Sequence, residues 1–171
     1  MYGTLNAKNT GTLSSTVVSF AQTGDYGATG MDTTGYLYVP ASCASGSTVC
    51  SLHVALHGCL QSYSNIGTDF IDNTGYNMWA GEFSLFQCAL LLYCRYSQQT
   101  NLRKFADTNN MIILYPQAIP DDTEETIWYG RELDNPNGCW DWVGWYGANA
   151  DQIGGMLINV GLHLFSLGSS C

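Results

Sequence analysis

Short runs of apolar residues, each bounded by glycine, proline or serine, dominate the pattern of this chain and predict β-strands. They occupy residues 34–39, 52–56 and 111–115. β-Branched and aromatic residues fill these runs, and each run is too short to be a buried helix. The runs LHVAL and MIILY are almost wholly apolar, which predicts central strands covered on both faces, as in a parallel sheet. Residues 17–22 predict an edge strand.

A helical pattern separates the second run from the third. Within residues 64–80, the apolar side chains Ile66, Phe70 and Ile71 recur at helical spacing. A strand, a loop, a helix and a second strand in this order form the βαβ pattern of α/β proteins. We therefore expect an α/β fold with a mostly parallel sheet and flanking helices.

The third quarter of the chain changes character. Residues 121–137 are acidic and rich in turn formers, and they predict a loop that continues into the Trp-rich block CWDWVGWY at residues 139–146. No internal repeat is visible, and the length of 171 residues suits one domain.

Composition narrows the choice of partners. The chain has 14 acidic and 5 basic residues, for a net charge of -9. This balance argues against nucleic acid as a partner, because phosphates require clustered lysine and arginine. No apolar run reaches the roughly 18 residues of a membrane helix, so no membrane partner is expected. Low charge and 7 cysteines are typical of extracellular proteins, although the start of the chain lacks the pattern of a secretory signal.

The first candidate for chemistry is a metal site at His53, His57 and Cys59, whose spacing places them on one face of a strand. Strand residues four positions apart lie about 13 Å from each other, too far for two ligands of one ion. We expect no metal site here and interpret the two histidines as structural.

A serine nucleophile is the second candidate. Serine esterases place it at a tight strand-to-helix turn, usually in the pattern Gly-x-Ser-x-Gly, which this sequence lacks. Ser62, Ser64, Ser169 and Ser170 have no glycine at the required position, and we interpret them as ordinary loop residues. We therefore expect no complete catalytic triad in this chain.

The loop His57-Gly58-Cys59-Leu60-Gln61 is the third candidate, because it follows a predicted strand directly. Backbone N–H groups in such loops stabilise the oxyanion that develops during ester hydrolysis, and glycine lets the backbone approach. Any tight strand-to-helix loop can use glycine, so the residues alone support a functional and a structural interpretation equally.

The Trp-rich block is the fourth candidate. Trp142 or a neighbour could present an apolar platform to a polymer or an aromatic ester. Tryptophans also fill cores, and for Trp140 and Trp145 we favour that interpretation.

Five motifs together resemble one protein family. They are GYLYVPASC, LHVALHGCLQSY, FIDNTGYNMWA, ADTNNMIILYPQA and NPNGCWDWVGWYGANADQIGG. The chain closely resembles the secreted fungal poly(3-hydroxybutyrate) depolymerases, a circularly permuted group of α/β-hydrolase esterases, over residues 2–80 and 106–155. The resemblance implies a partial α/β-hydrolase fold with a long Trp-rich loop, the hydrolysis of carboxylic esters without a cofactor, and an extracellular location.

The resemblance also implies roles for particular residues. The main-chain amide of Cys59 would form one half of an oxyanion hole, and Trp142 would contact the substrate. It further implies disulfides between Cys43 and Cys50 and between Cys59 and Cys139. In the fungal type, the half with the serine, aspartate and histidine precedes the half seen here, so this chain resembles the C-terminal half only.

Residues 81–105 and 156–171 depart from the family pattern within a single incomplete domain, residues 1–171. We interpret both as translated introns, with a genuine insertion as the alternative for the first. Cys88, Cys94 and Cys171 have no family counterpart and leave an odd thiol.

Two functions therefore stand. The chain is either part of a serine esterase, inactive without its missing N-terminal half, or a non-catalytic module that adsorbs to a polymer through surface tryptophans. A polyester or a small ester is the expected substrate.

Overall fold

The computed structural model describes residues 4–24, 27–73, 102–127, 130–141 and 143–146. Six strands and four helices lie in these ranges, in the order β1 (Val17–Ala21), β2 (Thr34–Tyr38), α1 (Ala41–Ala44), β3 (Ser51–Val54), α2 (Tyr63–Ile66), α3 (Asp69–Asn73), α4 (Leu102–Asn109), β4 (Met111–Tyr115), β5 (Asp121–Thr126) and β6 (Glu132–Asn135). No described helix is long and apolar enough to cross a membrane.

Four of the strands form one sheet in the order β1-β2-β4-β3. β3 and β4 are parallel, with His53 opposite Ile113, whereas β2 is antiparallel to both β1 and β4. The parallel pair confirms the predicted strand, helix and strand crossover. The prediction of a mostly parallel sheet is wrong for the described residues, because the chain enters through two antiparallel strands before the crossover begins.

β4 is the centre of the core, as its apolar run predicts. Ile113, Leu114 and Tyr115 are completely buried, because the strand has neighbours on both sides and apolar groups on both faces. Ile113 and Tyr115 pack with Phe70 of α3 and with α4, and Leu114 packs with Trp140 on the opposite face. Truncating a buried aliphatic side chain such as Ile113 to alanine typically costs about 2–5 kcal/mol.

β3 differs from its prediction. It begins one residue earlier and ends two residues earlier than residues 52–56, and among the described strands it lies at the edge of the sheet. Only His53 of this strand is buried, and Leu52 is 39% exposed. In the described part of the chain, the apolar run therefore forms an edge strand that is only partly buried, and not a central strand that is covered on both faces.

The predicted helix at residues 64–80 is two short helices in the described range. α2 and α3 are separated at Gly67, which has a φ of 60° and closes α2 by donating its N–H to the Tyr63 carbonyl. Glycine adopts this left-handed conformation without steric cost, which ends the first helix. Residues 74–80 lie outside the described residues.

Residues 121–127 and 130–137 form a hairpin where a loop is predicted. β5 and β6 are antiparallel, with Glu125 opposite Leu133 and an irregularity in register between Asp121 and Glu125. Most side chains of β5 are acidic and exposed, so the segment lacks the apolar alternation by which strands are usually recognised. Backbone pairing alone defines this hairpin.

One carboxylate joins the N-terminal segment, residues 4–16, to both α4 and β2. Asp107 of α4 accepts hydrogen bonds from Asn9 Nδ2 (2.7 Å), Ser14 Oγ (2.6 Å) and the Tyr38 hydroxyl (2.5 Å). Burial tends to raise the pKa of Asp107, but these hydrogen bonds outweigh it and the pKa lies below its usual value. The ionised carboxylate therefore stabilises this junction.

Candidate functional site

The loop after β3 contains a tight turn from Gly58 to Gln61. Its closing bond runs from the Gln61 N–H to the Gly58 carbonyl at 3.1 Å. Leu60, the third residue of the turn, has a φ of 61°, while Cys59 before it is not left-handed. This combination is the type II pattern, which usually requires glycine at the third position. The turn therefore holds leucine in a conformation that costs roughly 1–2 kcal/mol.

Side chains and backbone fix the residues on either side of Cys59. The Gly58 N–H donates to Gln61 Oε1 at 2.9 Å, and the Leu60 N–H donates to the Asn137 carbonyl at 2.7 Å. A Cβ atom on Gly58 would lie 2.9 Å from Gln61 Oε1, so a larger residue here would displace the Gln61 side chain that accepts from the Gly58 N–H. The turn is rigid because both neighbouring amides are already bonded.

The Cys59 N–H is different. It donates to no described residue, and Cys59 is exposed. An N–H that has no acceptor among the described residues, between two bonded amides, can donate to an oxygen from outside the protein.

A disulfide ties the turn to the Trp-rich block. Cys59 is bonded to Cys139, with 4.3 Å between the two Cα atoms. Cys139 is itself fixed by the buried Asn135, which accepts from the Cys139 N–H (2.9 Å) and donates to the Cys139 carbonyl (2.8 Å). The second implied disulfide, between Cys43 and Cys50, is also present.

His57 is a structural residue at the base of the loop. Its Nδ1–H donates to the Gly58 carbonyl at 2.8 Å, and Nε2 accepts from the Ala118 N–H at 3.0 Å. These bonds assign the neutral tautomer, since a backbone N–H can only be a donor. Burial lowers the pKa of His57, against a smaller opposing effect of the Gly58 carbonyl. With both ring nitrogens engaged, His57 is not available as a general base.

His53 and His57 belong to no metal-ligand group in the described part of the chain. His53 is buried, and burial lowers its pKa, whereas Cys59 is oxidised in its disulfide. Among the described residues, no three His, Cys, Asp or Glu side chains are grouped as metal ligands would be.

The serines after the loop have structural contacts. Ser62 is fully buried and its Oγ donates to Asn65 Oδ1 at 2.6 Å, while Ser64 Oγ lies 2.8 Å from Ser62 Oγ. Ser62 is the residue before α2. These two serines are therefore part of a local network at the start of a helix. Ser169 and Ser170 lie outside the described residues.

Trp140 and Asp141 fix the described residues of the Trp-rich block. Trp140 is 3% exposed, and its Nε1–H donates to the His57 carbonyl at 2.8 Å. Asp141 is also buried, and its carboxylate accepts from the backbone N–H groups of Gly144 and Trp145, each at 2.7 Å. Trp140 is therefore a core residue, as expected, and Trp145 is half-buried. Trp142, together with Cys88, Cys94 and Cys171, lies outside the described residues.

Sequence reasoning missed Asn135 and Gln117. The buried Gln117 accepts from the Tyr63 N–H at 2.7 Å through Oε1, while its own N–H donates to Gln22 Oε1 at 3.0 Å. It thereby positions α2 next to the loop. Amides that act between distant segments carry no periodic pattern, although the Asn-Pro-Asn-Gly run beginning at Asn135 does mark a turn.

Comparison with characterised proteins gives two curated relatives. A polyhydroxybutyrate depolymerase from Talaromyces funiculosus is 67% identical over 156 residues, which covers 91% of this chain and 38% of that protein. A poly(3-hydroxybutyrate) depolymerase from Delftia acidovorans is 36% identical over 157 residues, covering 91% of this chain and 24% of that protein. No protein-family model matches the chain.

Two solved structures are similar. The crystal structure of PHB depolymerase from Penicillium funiculosum has a TM-score of 0.72 and 64% identity, covering 92% of this chain and 42% of that one. A serine-to-alanine variant of a PHB depolymerase complexed with an R3HB trimer has a TM-score of 0.74 and 62% identity, covering 95% of this chain and 43% of that one.

The chain is therefore homologous to depolymerase hydrolases over nearly all of its length. Within that class, its relatives include the fungal polyhydroxybutyrate depolymerases, as the five motifs predict. The chain spans less than half the length of each of these relatives.

Proposed function

We propose that this chain is part of a serine esterase with an α/β-hydrolase fold that hydrolyses poly(3-hydroxybutyrate) or related esters. The observation that carries the proposal is the N–H of the exposed Cys59, which has no acceptor among the described residues although the amides on either side are bonded. The matched depolymerases support the substrate class. Cys59 would bind the oxyanion through its N–H, and Trp142 would contact the substrate.

We also propose that the triad is not in this chain. The sequence lacks a Gly-x-Ser-x-Gly motif, and it contains 3 histidines. His57 uses both ring nitrogens, and His53 is buried, so neither fits the role of an exposed base. His163 lies outside the described residues. The serine, its base and the second oxyanion donor would come from the part of the relatives' length that this chain does not span.

Hydrolysis of a short-chain p-nitrophenyl ester tests this proposal. The purified chain alone should hydrolyse the ester at the background rate. After co-refolding with the unmatched segment of the Talaromyces relative, activity should appear and should be abolished by a serine-directed phosphonate. Phosphonate-sensitive turnover by the chain alone would show that it carries its own nucleophile.

The role of the Cys59 N–H can be isolated because its position is the second of a type II turn, where proline is favoured. Cys59→Pro with Cys139→Ala removes the N–H and the disulfide, while Cys59→Ala with Cys139→Ala removes only the disulfide. In the co-refolded enzyme, the proline variant should have a kcat about 10²–10³ times lower than the alanine variant. Equal values would exclude this amide from the oxyanion hole.

The exposed side of β3 supports the proposal of an incomplete fold. Among described strands, β3 pairs only with β4, and Leu52 and Leu56 are 39% and 40% exposed. Unpaired strand edges and exposed apolar groups promote aggregation. We expect the chain alone to form large species in size-exclusion chromatography, and co-refolding to shift it to a single complex.

A polymer-binding module is the second candidate. Exposed apolar side chains continue from the loop into α2, where Leu60, Tyr63 and Ile66 are 54%, 40% and 37% exposed. Adsorption of the chain to polyester film without hydrolysis, reduced by Trp142→Ala, would favour this function.

The proposed extracellular location is supported by the two disulfides, which form under oxidising conditions.

A further inference from the structure

A cavity lies between the N-terminal segment, the end of α3 and the start of α4. Its volume is about 550 Å³. Three cationic side chains line it, Lys8, Arg103 and Lys104, together with Asp72, two asparagines and a threonine. None of these residues belongs to the loop that contains Cys59.

The charge of this cavity is opposite to that of the chain. Only 5 of the 171 residues are basic, against 14 acidic ones, yet 3 of those 5 line this one cavity. Three positive side chains and one negative side chain leave two positive charges. A local excess of positive charge in an acidic protein attracts anions more strongly than any average over the surface would suggest.

One of the cations is free to bind. The Arg103 guanidinium is paired with Asp72 at 2.7 Å, and the Lys104 ammonium donates to the Gly11 carbonyl at 3.1 Å. The Lys8 ammonium, by contrast, has no hydrogen bond or ion pair with any described residue, although Lys8 is half-buried. An ammonium that lines a cavity and has no counter-ion among the described residues favours the binding of an anion.

We propose that this cavity binds a small oxyanion, either inorganic phosphate or the carboxylate of a short hydroxy acid. The available groups are mostly N–H donors, which match the oxygens of both anions. The carboxylate form rests on the proposed esterase function, because cleavage of a polyester of hydroxy acids releases such carboxylates. The phosphate form does not depend on that function.

Amide chemical shifts of the ¹⁵N-labelled chain, within the complex formed by co-refolding, test the proposal. Phosphate and 3-hydroxybutyrate are titrated separately, with sodium chloride at matched ionic strength as the reference. Either anion should shift the amides of Lys8, Asn9 and Lys104 in a saturable manner that chloride does not reproduce. Binding of phosphate identifies a general oxyanion site, and binding of 3-hydroxybutyrate alone identifies a product site.

Single-charge variants provide the controls. Lys8→Gln should weaken binding at least fivefold, whereas Arg131→Gln, which removes an exposed cation outside the cavity, should change it less than twofold. Lys8→Arg should retain binding and show that the position tolerates substitution. Absence of saturable shifts with both anions, or equal weakening by Lys8→Gln and Arg131→Gln, overturns the proposal. These outcomes are independent of ester hydrolysis.

Discussion

Removing the disulfide between Cys59 and Cys139 should destabilise the protein far more than removing the one between Cys43 and Cys50. The first joins residues 80 positions apart and the second joins residues 7 positions apart. A cross-link restricts the unfolded chain more when its loop is longer, and the loop-entropy relation gives about 4.5 kcal/mol for the longer loop and about 2.4 kcal/mol for the shorter. The expected difference is about 2 kcal/mol.

The two disulfides form a matched pair for this comparison. Each has one buried sulfur, since Cys43 and Cys139 are 7% and 8% exposed, and one partner that is more accessible. Double alanine variants, Cys43→Ala with Cys50→Ala and Cys59→Ala with Cys139→Ala, therefore lose similar packing. The loop length is the main property that differs.

Urea unfolding of the co-refolded complex, followed by circular dichroism, measures the difference. With a slope of about 2 kcal/mol per M, the longer-loop variant should unfold at a urea concentration about 1 M lower than the shorter-loop variant. A longer-loop variant that is unfolded without urea, beside a folded shorter-loop variant, would agree with this order. Equal midpoints, or a lower midpoint for the shorter-loop variant, would refute the reasoning.

Three further predictions concern single residues. His57→Gln should cost about 1–3 kcal/mol by leaving the Ala118 N–H unpaired. Because burial lowers the pKa of His57 in the folded state, the stability of the wild type should fall as pH drops below about 6.5. Urea midpoints measured between pH 7 and pH 5 should depend less on pH in the variant. Asp107→Asn should cost about 2 kcal/mol at pH 7, whereas Asp122→Asn, at an exposed position, should cost almost nothing. The stability that Asp107 contributes should disappear as pH falls below about 4, through its lowered pKa in the folded state. Equal costs for the two variants would contradict this role of Asp107. Leu60→Gly should be more stable than Leu60→Ala by about 1 kcal/mol in thermal unfolding, the reverse of the usual order, because only glycine accepts the positive φ freely.

The sequence predicts elements best where local pattern and burial agree. β4 is found at its predicted residues because it is apolar and is covered on both faces. The hairpin of β5 and β6 is missed because its acidic side chains resemble a loop and its backbone pairing leaves no trace in the pattern. The break between α2 and α3 follows from Gly67, a residue that the apolar spacing passes over.

The site divides in a similar way. The strand and its glycine-containing loop indicate where an oxyanion donor could lie, and the resemblance adds the pairing of Cys59 with Cys139. The contacts that make the loop rigid are not visible in the sequence, because they join residues far apart. His57 bonds to Ala118 across 61 residues, and Trp140 bonds to His57 across 83 residues. No local pattern specifies such pairs.

The position of these contacts determines how the site is assembled. His57 is held by Ala118, which follows β4, while the turn is held by the Asn137 carbonyl and by Cys139. All of these groups belong to this chain. An oxyanion hole is effective because its donors are oriented before the reaction begins. Groups of this chain therefore orient the Cys59 N–H. Under the proposed function, the part of the relatives that this chain does not span would need to supply only the nucleophile, its base and the second donor. This division is the physical reason to expect that co-refolding with that segment produces esterase activity.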